Sequence, residues 1–153
     1  MRIAVGADIN GYELKEVVKA HLIALGHDVL DCGVESDQDV DYPAVAEPVA
    51  RAVAMGEVER AVLVCGTGLG MAIVANKVRG VRAAPVTDPY SAERAIRSND
   101  AKVLCLGGLV TGRNVAPLLV DHWLSGEFAG GNSGRKVAKI EDLDRREAAP
   151  PGG

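Results

Sequence analysis

The chain has 153 residues, of which 48% are hydrophobic, and this length and content are typical of one soluble domain with a sizeable core. Its 17 basic and 21 acidic side chains give a formal net charge of −4, without a basic run that could neutralise a nucleic-acid backbone or an anionic membrane. Neither nucleic acid nor a membrane is therefore expected as a partner.

The predicted elements alternate in chain order between short β-branched runs and longer stretches of helical period, which is typical of βαβ units. Strands are predicted over residues 2–7, 28–32, 60–65, 81–86 and 103–106. Helices are predicted between and after them, over residues 12–25, 43–55, 69–77, 89–98 and 113–125. The pattern predicts a Rossmann-like, doubly wound α/β fold with a five-stranded parallel sheet, each strand being mostly apolar and covered on both faces.

The carboxyl-terminal part differs in composition from the rest. A Gly-rich turn at residues 130–134 leads into a charged helix predicted over residues 136–146, with Val137, Ile140 and Leu143 on one face. We expect this helix to pack on a partner subunit. Residues 1–148 are predicted to form a single domain, and residues 149–153, which contain no core-forming side chain, a flexible tail.

The three cysteines, Cys32, Cys65 and Cys105, are odd in number and form no Cys-x-x-Cys pair, so reduced thiols are expected. The amino terminus has no signal-peptide layout and no apolar stretch reaches membrane-spanning length, which together predict a cytoplasmic protein. The histidines lack metal-ligand spacing, so no metal site is expected. Cys32 and Cys105 are expected to be small packing residues.

The segment with the clearest chemistry is Cys65-Gly66-Thr67-Gly68-Leu69-Gly70, between the third predicted strand and the third helix. Glycines at this point let backbone N–H groups turn toward an anion at a helix N-terminus. A thiol and an oxyanion site are therefore expected side by side. Ligands bind beyond the carboxyl ends of strands in such sheets, and the polar or glycine residues at the other strand ends are Asp8, Asn10, Thr87, Asp88, Gly107 and Gly108.

Motifs spread over nearly the whole chain follow the pattern of one family. They are Gly6-Ala7-Asp8, residues 11–15, Asp41-Tyr42-Pro43, residues 65–70, Ala75-Asn76-Lys77, residues 89–92 and residues 98–101. In these motifs the chain resembles ribose-5-phosphate isomerase B and the subunits of galactose-6-phosphate isomerase. The resemblance implies aldose–ketose isomerisation of a sugar phosphate without metal or cofactor. It also implies a homodimer or tetramer whose active sites combine residues of two subunits.

The resemblance also implies roles for individual residues. Cys65 is expected to take the carbon-bound proton as a thiolate, which the adjacent helix N-terminus favours, while backbone donors of residues 66–70 hold the enediolate oxygens. Thr67 would bond the reacting hydroxyl, Asp8 would move protons between the two oxygens, and Asn99 of the partner subunit would support the enediolate. The expected substrate-binding residues are Asn10, Tyr42, Gly66, Gly68, Gly70, Ser98, Arg113, Arg135 and Lys136.

Departures from the family pattern suggest a short substrate. Ser98 stands where the pentose isomerases carry the histidine that opens the sugar ring, and Ile9 replaces a second histidine. A tetrose 4-phosphate cannot close a furanose ring, so it needs no ring-opening acid. D-erythrulose 4-phosphate to D-erythrose 4-phosphate is therefore the expected reaction, with ribose 5-phosphate to ribulose 5-phosphate as the alternative. The family's phosphate arginines are also replaced, which leaves Arg113, Arg135 and Lys136 as candidate phosphate ligands, Arg113 toward a neighbouring site.

Other interpretations remain open at this point. A Cys-based phosphatase is disfavoured because Met71 occupies the position of the arginine that such enzymes require. A nucleotide-binding module is disfavoured by its glycine spacing, and an inactive regulatory subunit that binds a nucleotide or sugar phosphate is a further alternative. Single residues also have a structural interpretation: packing for Cys65, a turn or helix cap for Asp8, a helix-entry contact for Tyr42 and solvated charges for Arg113 and Arg135.

Overall fold

The computed structural model describes residues 1–148, which form a five-stranded sheet in the order β2-β1-β3-β5-β4. The strands are β1 (Arg2–Ala7), β2 (Asp28–Asp31), β3 (Arg60–Cys65), β4 (Ala83–Pro85) and β5 (Val103–Gly107). All neighbouring strands are parallel, which confirms the predicted α/β class and strand number. The predicted tail, residues 149–153, lies outside the described residues.

Helices cover both faces of this sheet. They are α1 (Tyr12–Ala24), α2 (Tyr42–Ala54), α3 (Leu69–Asn76), α4 (Pro89–Arg97), α5 (Val115–Leu124) and α6 (Gly131–Ala148). One core lies between the sheet and α1, α4 and α5, and the other lies between the sheet and α2 and α3. The predicted doubly wound arrangement is therefore confirmed. Within residues 1–148, no helix combines the length and the apolar composition that a membrane crossing requires.

The two edge strands correct part of the prediction. Residues 28–32 and 81–86 were expected to be strands covered on both faces, but β2 is mostly exposed and β4 is only three residues long. The three central strands, in contrast, are buried almost throughout. An edge strand has a neighbour on one side only, and the flanking helices pack mainly over the centre of the sheet.

The carboxyl-terminal helix also begins earlier than predicted. Gly130 and Gly131 supply the turn with φ of 67° and 58°, and residues 132–134 lie in the first turn of α6 rather than in a loop. Of the apolar stripe on this helix, Val137 is buried whereas Ile140 and Leu143 are exposed. Packing of this stripe on a partner subunit remains a prediction.

A buried arginine ties the sheet to the end of α5. Arg60 donates from Nη1 to the carbonyl oxygen of Trp123 at 2.8 Å and from Nη2 to that of Gly126 at 2.7 Å. No carboxylate of residues 1–148 forms an ion pair with it, and burial lowers the pKa of Arg60. The positive charge instead lies at the carboxyl end of a helix, where the helix dipole favours a cation.

We expect Arg60→Met to lower the free energy of unfolding by about 3 kcal/mol, because two buried carbonyl oxygens lose a charged donor. Urea denaturation followed by circular dichroism measures this change. Arg51→Met is the matched control, since Arg51 forms an exposed pair with Glu47, and its cost should be about 0.5 kcal/mol or less. Equal losses of unfolding free energy in the two variants would show that the Arg60 hydrogen bonds do not stabilise the fold.

Candidate active site

The Cys65 thiol lies at the carboxyl end of β3, directly before the turn into α3. Its side chain is buried, with 5% of the residue exposed, and Sγ accepts a hydrogen bond from the backbone N–H of Gly68 at 3.1 Å. Gly68 is the N-terminal capping residue of α3 and has a φ of 81°, which favours glycine. The sulfur therefore lies at the positively polarised end of a helix, within hydrogen-bond distance of a backbone donor.

Three loops that follow β1, β3 and β5 pack closely around this turn. Gly108 donates its N–H to the carbonyl oxygen of Cys65 at 2.7 Å, and Leu109 donates to that of Gly66 at 3.0 Å. A Cβ atom at Gly108 would lie 2.3 Å from the carbonyl oxygen of Asn10. Because no side chain fits there, a glycine at position 108 allows the first and last of these loops to pack against each other. The sequence marked Gly108 only by its place after a strand.

Asp8 lies beside Cys65, after β1, and is buried. Its Oδ1 accepts a hydrogen bond from the N–H of Gly11 at 3.0 Å, and its own N–H donates to the carbonyl oxygen of Val64 at 3.3 Å. The carboxylate therefore holds the turn before α1, as one of the sequence interpretations expected. Its catalytic role stays a prediction.

Tyr42, Thr67 and Asn10 also lie at this edge of the sheet. The ring of Tyr42 covers Gly70, since a Cβ atom at Gly70 would lie 2.7 Å from the Cε2 and Cζ atoms of the ring. Oγ1 of Thr67 accepts a hydrogen bond from the N–H of Leu69 at 3.3 Å. Thr67 and Asn10 are both exposed. The structure therefore places these three predicted residues beside residues 66–70, the segment that follows the Cys65 thiol.

Ser98 and Asn99 lie at the opposite end of the sheet, where the strands begin. They follow α4 and precede β5, whereas Cys65 ends β3. A strand of five or six residues spans roughly 17–20 Å, so these residues cannot reach the thiol of their own chain. Arg135 and Lys136 lie in the first turns of α6 and are exposed. The loop before α6 is bonded to the end of α4, where the N–H of Ala129 donates to the carbonyl oxygen of Arg97.

Arg82 fixes the loop that carries Asn99. Its Nε donates to the carbonyl oxygen of Asn99 at 2.9 Å, and its Nη2 donates to Oδ2 of Asp100 at 2.7 Å. Asp100 has a φ of 48°, which is uncommon for a residue other than glycine. Sequence reasoning missed Arg82, because its contact with this loop depends on the pairing of β4 with β5.

The other two thiols have different surroundings from Cys65. Cys105 is completely buried on β5, and burial raises its pKa far above the ordinary value. It is a packing residue, as expected. Cys32 is exposed instead of packed in the core, because it follows the edge strand β2. Partial burial and the nearby Asp31 charge raise its pKa. Within residues 1–148, no three His, Cys, Asp or Glu side chains lie close enough to hold a metal ion.

Known proteins match this chain over most of its length. The profile of the family described as "Ribose/Galactose Isomerase" matches residues 3–140. The chain is 45% identical to the ribose-5-P isomerase B of Listeria innocua, over 95% of this chain and 99% of that protein. It is 43% identical to the D-erythrulose-4-phosphate isomerase 2 of Mycolicibacterium smegmatis, over 97% of this chain and 99% of that protein.

A solved structure of a related protein has the same fold. The ribose-5-phosphate isomerase B of Clostridium thermocellum superposes with a TM-score of 0.94 at 42% identity, over 97% of this chain and 100% of that one. The similarity thus extends over the whole of the described sheet and its helices.

Proposed function

Since the chain belongs to the ribose/galactose isomerase family and is a sugar-phosphate aldose–ketose isomerase, we propose that it interconverts ribose 5-phosphate and ribulose 5-phosphate at Cys65. The observation that carries the mechanism is the Sγ atom of Cys65, which accepts the Gly68 N–H at the head of α3. The substrate assignment rests on the names of the relatives, which favour the pentose phosphate over the tetrose phosphate expected from the sequence.

The reaction moves one proton between neighbouring carbon atoms. The Cys65 thiolate removes the proton from the carbon next to the carbonyl group, and the carbonyl oxygen takes up the negative charge of the enediolate. Other backbone N–H groups of residues 66–70 would stabilise that oxygen, since those of Gly68 and Leu69 are bonded to Cys65 and Thr67. Return of the proton from sulfur to the former carbonyl carbon completes the isomerisation, while Asp8 and Thr67 carry the oxygen-bound protons. No metal or cofactor takes part in these steps.

The proposed site needs a second copy of the chain. Four predicted site residues lie at the end of the sheet opposite to Cys65: Ser98, Asn99, Arg135 and Lys136. They can therefore join a thiol only in another subunit. Charge and hydrogen-bond donors from that subunit would complete the pocket. We therefore propose a homodimer, or a tetramer of two such dimers, with active sites shared between chains.

The tetrose phosphate remains a second candidate because of two side chains. Ser98 and Ile9 cannot donate a proton at neutral pH, and Ile9 is exposed at the edge where the substrate would bind. A substrate that is already open needs no acid to open its ring. This argument favours D-erythrulose 4-phosphate, against the evidence of the relatives.

An isomerase assay without added metal distinguishes the two substrates. We expect kcat/KM for ribose 5-phosphate to exceed that for erythrulose 4-phosphate by at least about 10-fold, and Ser98→His to raise the pentose value a further ~10-fold by supplying a general acid. Ser98→Gln, of similar size but without a titrating group, should not raise it. Dominant tetrose activity would contradict the pentose assignment, and activity on neither substrate would favour the regulatory subunit.

A further inference from the structure

The Asn99 loop, residues 98–101, follows α4 and has an uncommon backbone conformation. Asn99 is exposed, so its place depends on how the backbone around it is held. Asp100 has a φ of 48°, a left-handed conformation that is unfavourable for a residue with a Cβ atom. The N–H of Asp100 donates to the carbonyl oxygen of Ile96 at 3.1 Å, which ties the loop to its own helix. The carbonyl oxygen of Asn99 is bonded from outside the loop.

Arg82 forms that bond and a second one beside it. Its side chain is only 14% exposed and lies just before β4. Nε donates to the carbonyl oxygen of Asn99 at 2.9 Å, and Nη2 donates to the Asp100 carboxylate at 2.7 Å. Because a guanidinium is rigid and planar, two bonds from it fix the direction of the Asn99 backbone as well as its distance. The ion pair also helps to hold Asp100 in its left-handed conformation.

The backbone around Arg82 is itself firmly held. The side-chain amide of Asn76, at the end of α3, accepts a hydrogen bond from the N–H of Ala83 at 2.9 Å and donates one to the carbonyl oxygen of Ala83 at 2.8 Å. The carbonyl oxygen of Arg82 accepts the N–H of Val103 on β5 at 3.3 Å. Asn76 belongs to the motif Ala75-Asn76-Lys77, to which the mechanism above gives no role. Its contacts make the start of β4 a fixed base for the Arg82 side chain.

The same segment contacts α6. Nη1 of Arg82 lies 3.8 Å from Oε1 of Glu141, and Oδ2 of Asp144 accepts the N–H of Gly80 at 2.9 Å. Acidic side chains of α6 therefore face the segment that carries Arg82. Because α6 also carries residues 135–136, Arg82 lies between the two elements that the proposed function assigns to the partner's site.

We propose that Arg82 is a positioning residue that places the Asn99 amide for the active site of the partner subunit. Its Nε and Nη2 donors are bonded to the Asn99 loop, and it lies at the end of the sheet opposite to Cys65, so it acts through the Asn99 backbone. This role rests on the proposed function and deepens the part given there to Asn99. Arg82 of one chain thus controls the rate of proton transfer at the Cys65 thiol of the other chain.

Replacing Arg82 by methionine in the full-length enzyme tests this role. A displacement of about 1 Å at a group that supports a transition state can lower the rate about 100-fold. We expect kcat to fall about 30-fold in Arg82→Met, with KM within about threefold of the wild-type value. Arg82→Lys keeps the charge but cannot form both bonds, so its kcat should fall only about fivefold. Arg51→Met, which breaks an exposed ion pair on α2, is the control and should stay within about twofold of the wild type.

Subunit mixing distinguishes positioning from a general loss of structure. Mixed with Cys65→Ala, Arg82→Met should recover about a quarter of the wild-type activity, because one site of the heterodimer has an intact thiol and an Asn99 loop that Arg82 still holds. Mixed with Asn99→Ala, it should not rise above its own residual activity, because both substitutions damage the same half of the site. The reverse pattern, or equal behaviour of the two mixtures, would overturn the proposal.

The results also separate this role from the proposed function. An active enzyme in which Arg82→Met is no slower than Arg51→Met would exclude the positioning role and leave the isomerase function intact. If the wild type isomerises neither sugar phosphate, hydrogen exchange measured by mass spectrometry still tests the loop. Exchange in residues 96–101 that is at least about 10-fold faster in Arg82→Met, but not in Arg51→Met, would support the role. Exchange that is unchanged, or faster throughout the chain, would refute it.

Discussion

Replacing Cys65 by alanine should lower kcat/KM by at least about 1000-fold on every sugar phosphate that the enzyme accepts. The substitution removes the only group in the Cys65 loop that can take a proton from carbon, whereas the backbone donors of residues 66–70 remain. Because the lost sulfur is small and lies at the end of a strand, the melting temperature should fall by no more than about 5 °C. A continuous isomerase assay and a thermal melt measure the two effects.

Cys105→Ala is the matched control for this variant. It removes a second buried thiol on the strand next to β3, from a position that burial makes unreactive. Stability should decrease by about 1–2 kcal/mol in this variant, as expected for a small cavity, while kcat/KM stays within about twofold of the wild type. Cys65→Ala that retained a tenth of the activity would exclude the thiolate mechanism.

Mixing two inactive variants should restore activity. Cys65→Ala and Asn99→Ala each damage every site in their own homodimer, but a heterodimer of the two has one site with an intact Cys65 and an intact Asn99. After subunit exchange in an equimolar mixture, half of the dimers are of this kind, so about a quarter of the wild-type activity should return. The physical reason is that Cys65 and Asn99 lie at opposite ends of the strands, too far apart to meet within one chain.

Cys65→Ala mixed with Thr67→Ala provides the control. Both substitutions affect the same loop of one chain, so no heterodimer has a complete site and the mixture should stay inactive. Native mass spectrometry confirms that exchange has taken place. Recovery in this control, or its absence with Asn99→Ala despite exchange, would show that the sites are not divided as proposed.

The central part of the fold follows from the sequence, because β1, β3 and β5 are buried on both faces and therefore read as continuous apolar runs. The glycine pattern after β3 likewise predicts the strand, turn and helix that place Cys65. The edge strands were harder to predict. Their apolar residues satisfy a strand pattern, but only the packing of the helices decides how much of β2 is covered.

Parts of the candidate site depend on contacts that no local pattern encodes. The close approach of Gly108 to the carbonyl oxygen of Asn10 exists only because the loops after β1 and β5 meet beside the end of β3. In the same way, Arg82 supports the Asn99 loop only because β4 pairs with β5. Short motifs therefore identified the residues around the thiol, whereas the sheet topology was needed for the residues that hold or complete them.

The placement of Cys65 and Asn99 at opposite ends of the strands has an evolutionary consequence. If sites are shared as proposed, each chain contributes a thiol half to one site and an amide half to another, and these halves can change independently. After gene duplication, one copy could lose its thiol half and the other its amide half, and their heterodimer would still contain one complete site. Two specialised genes could then depend on each other, although neither product would be active alone.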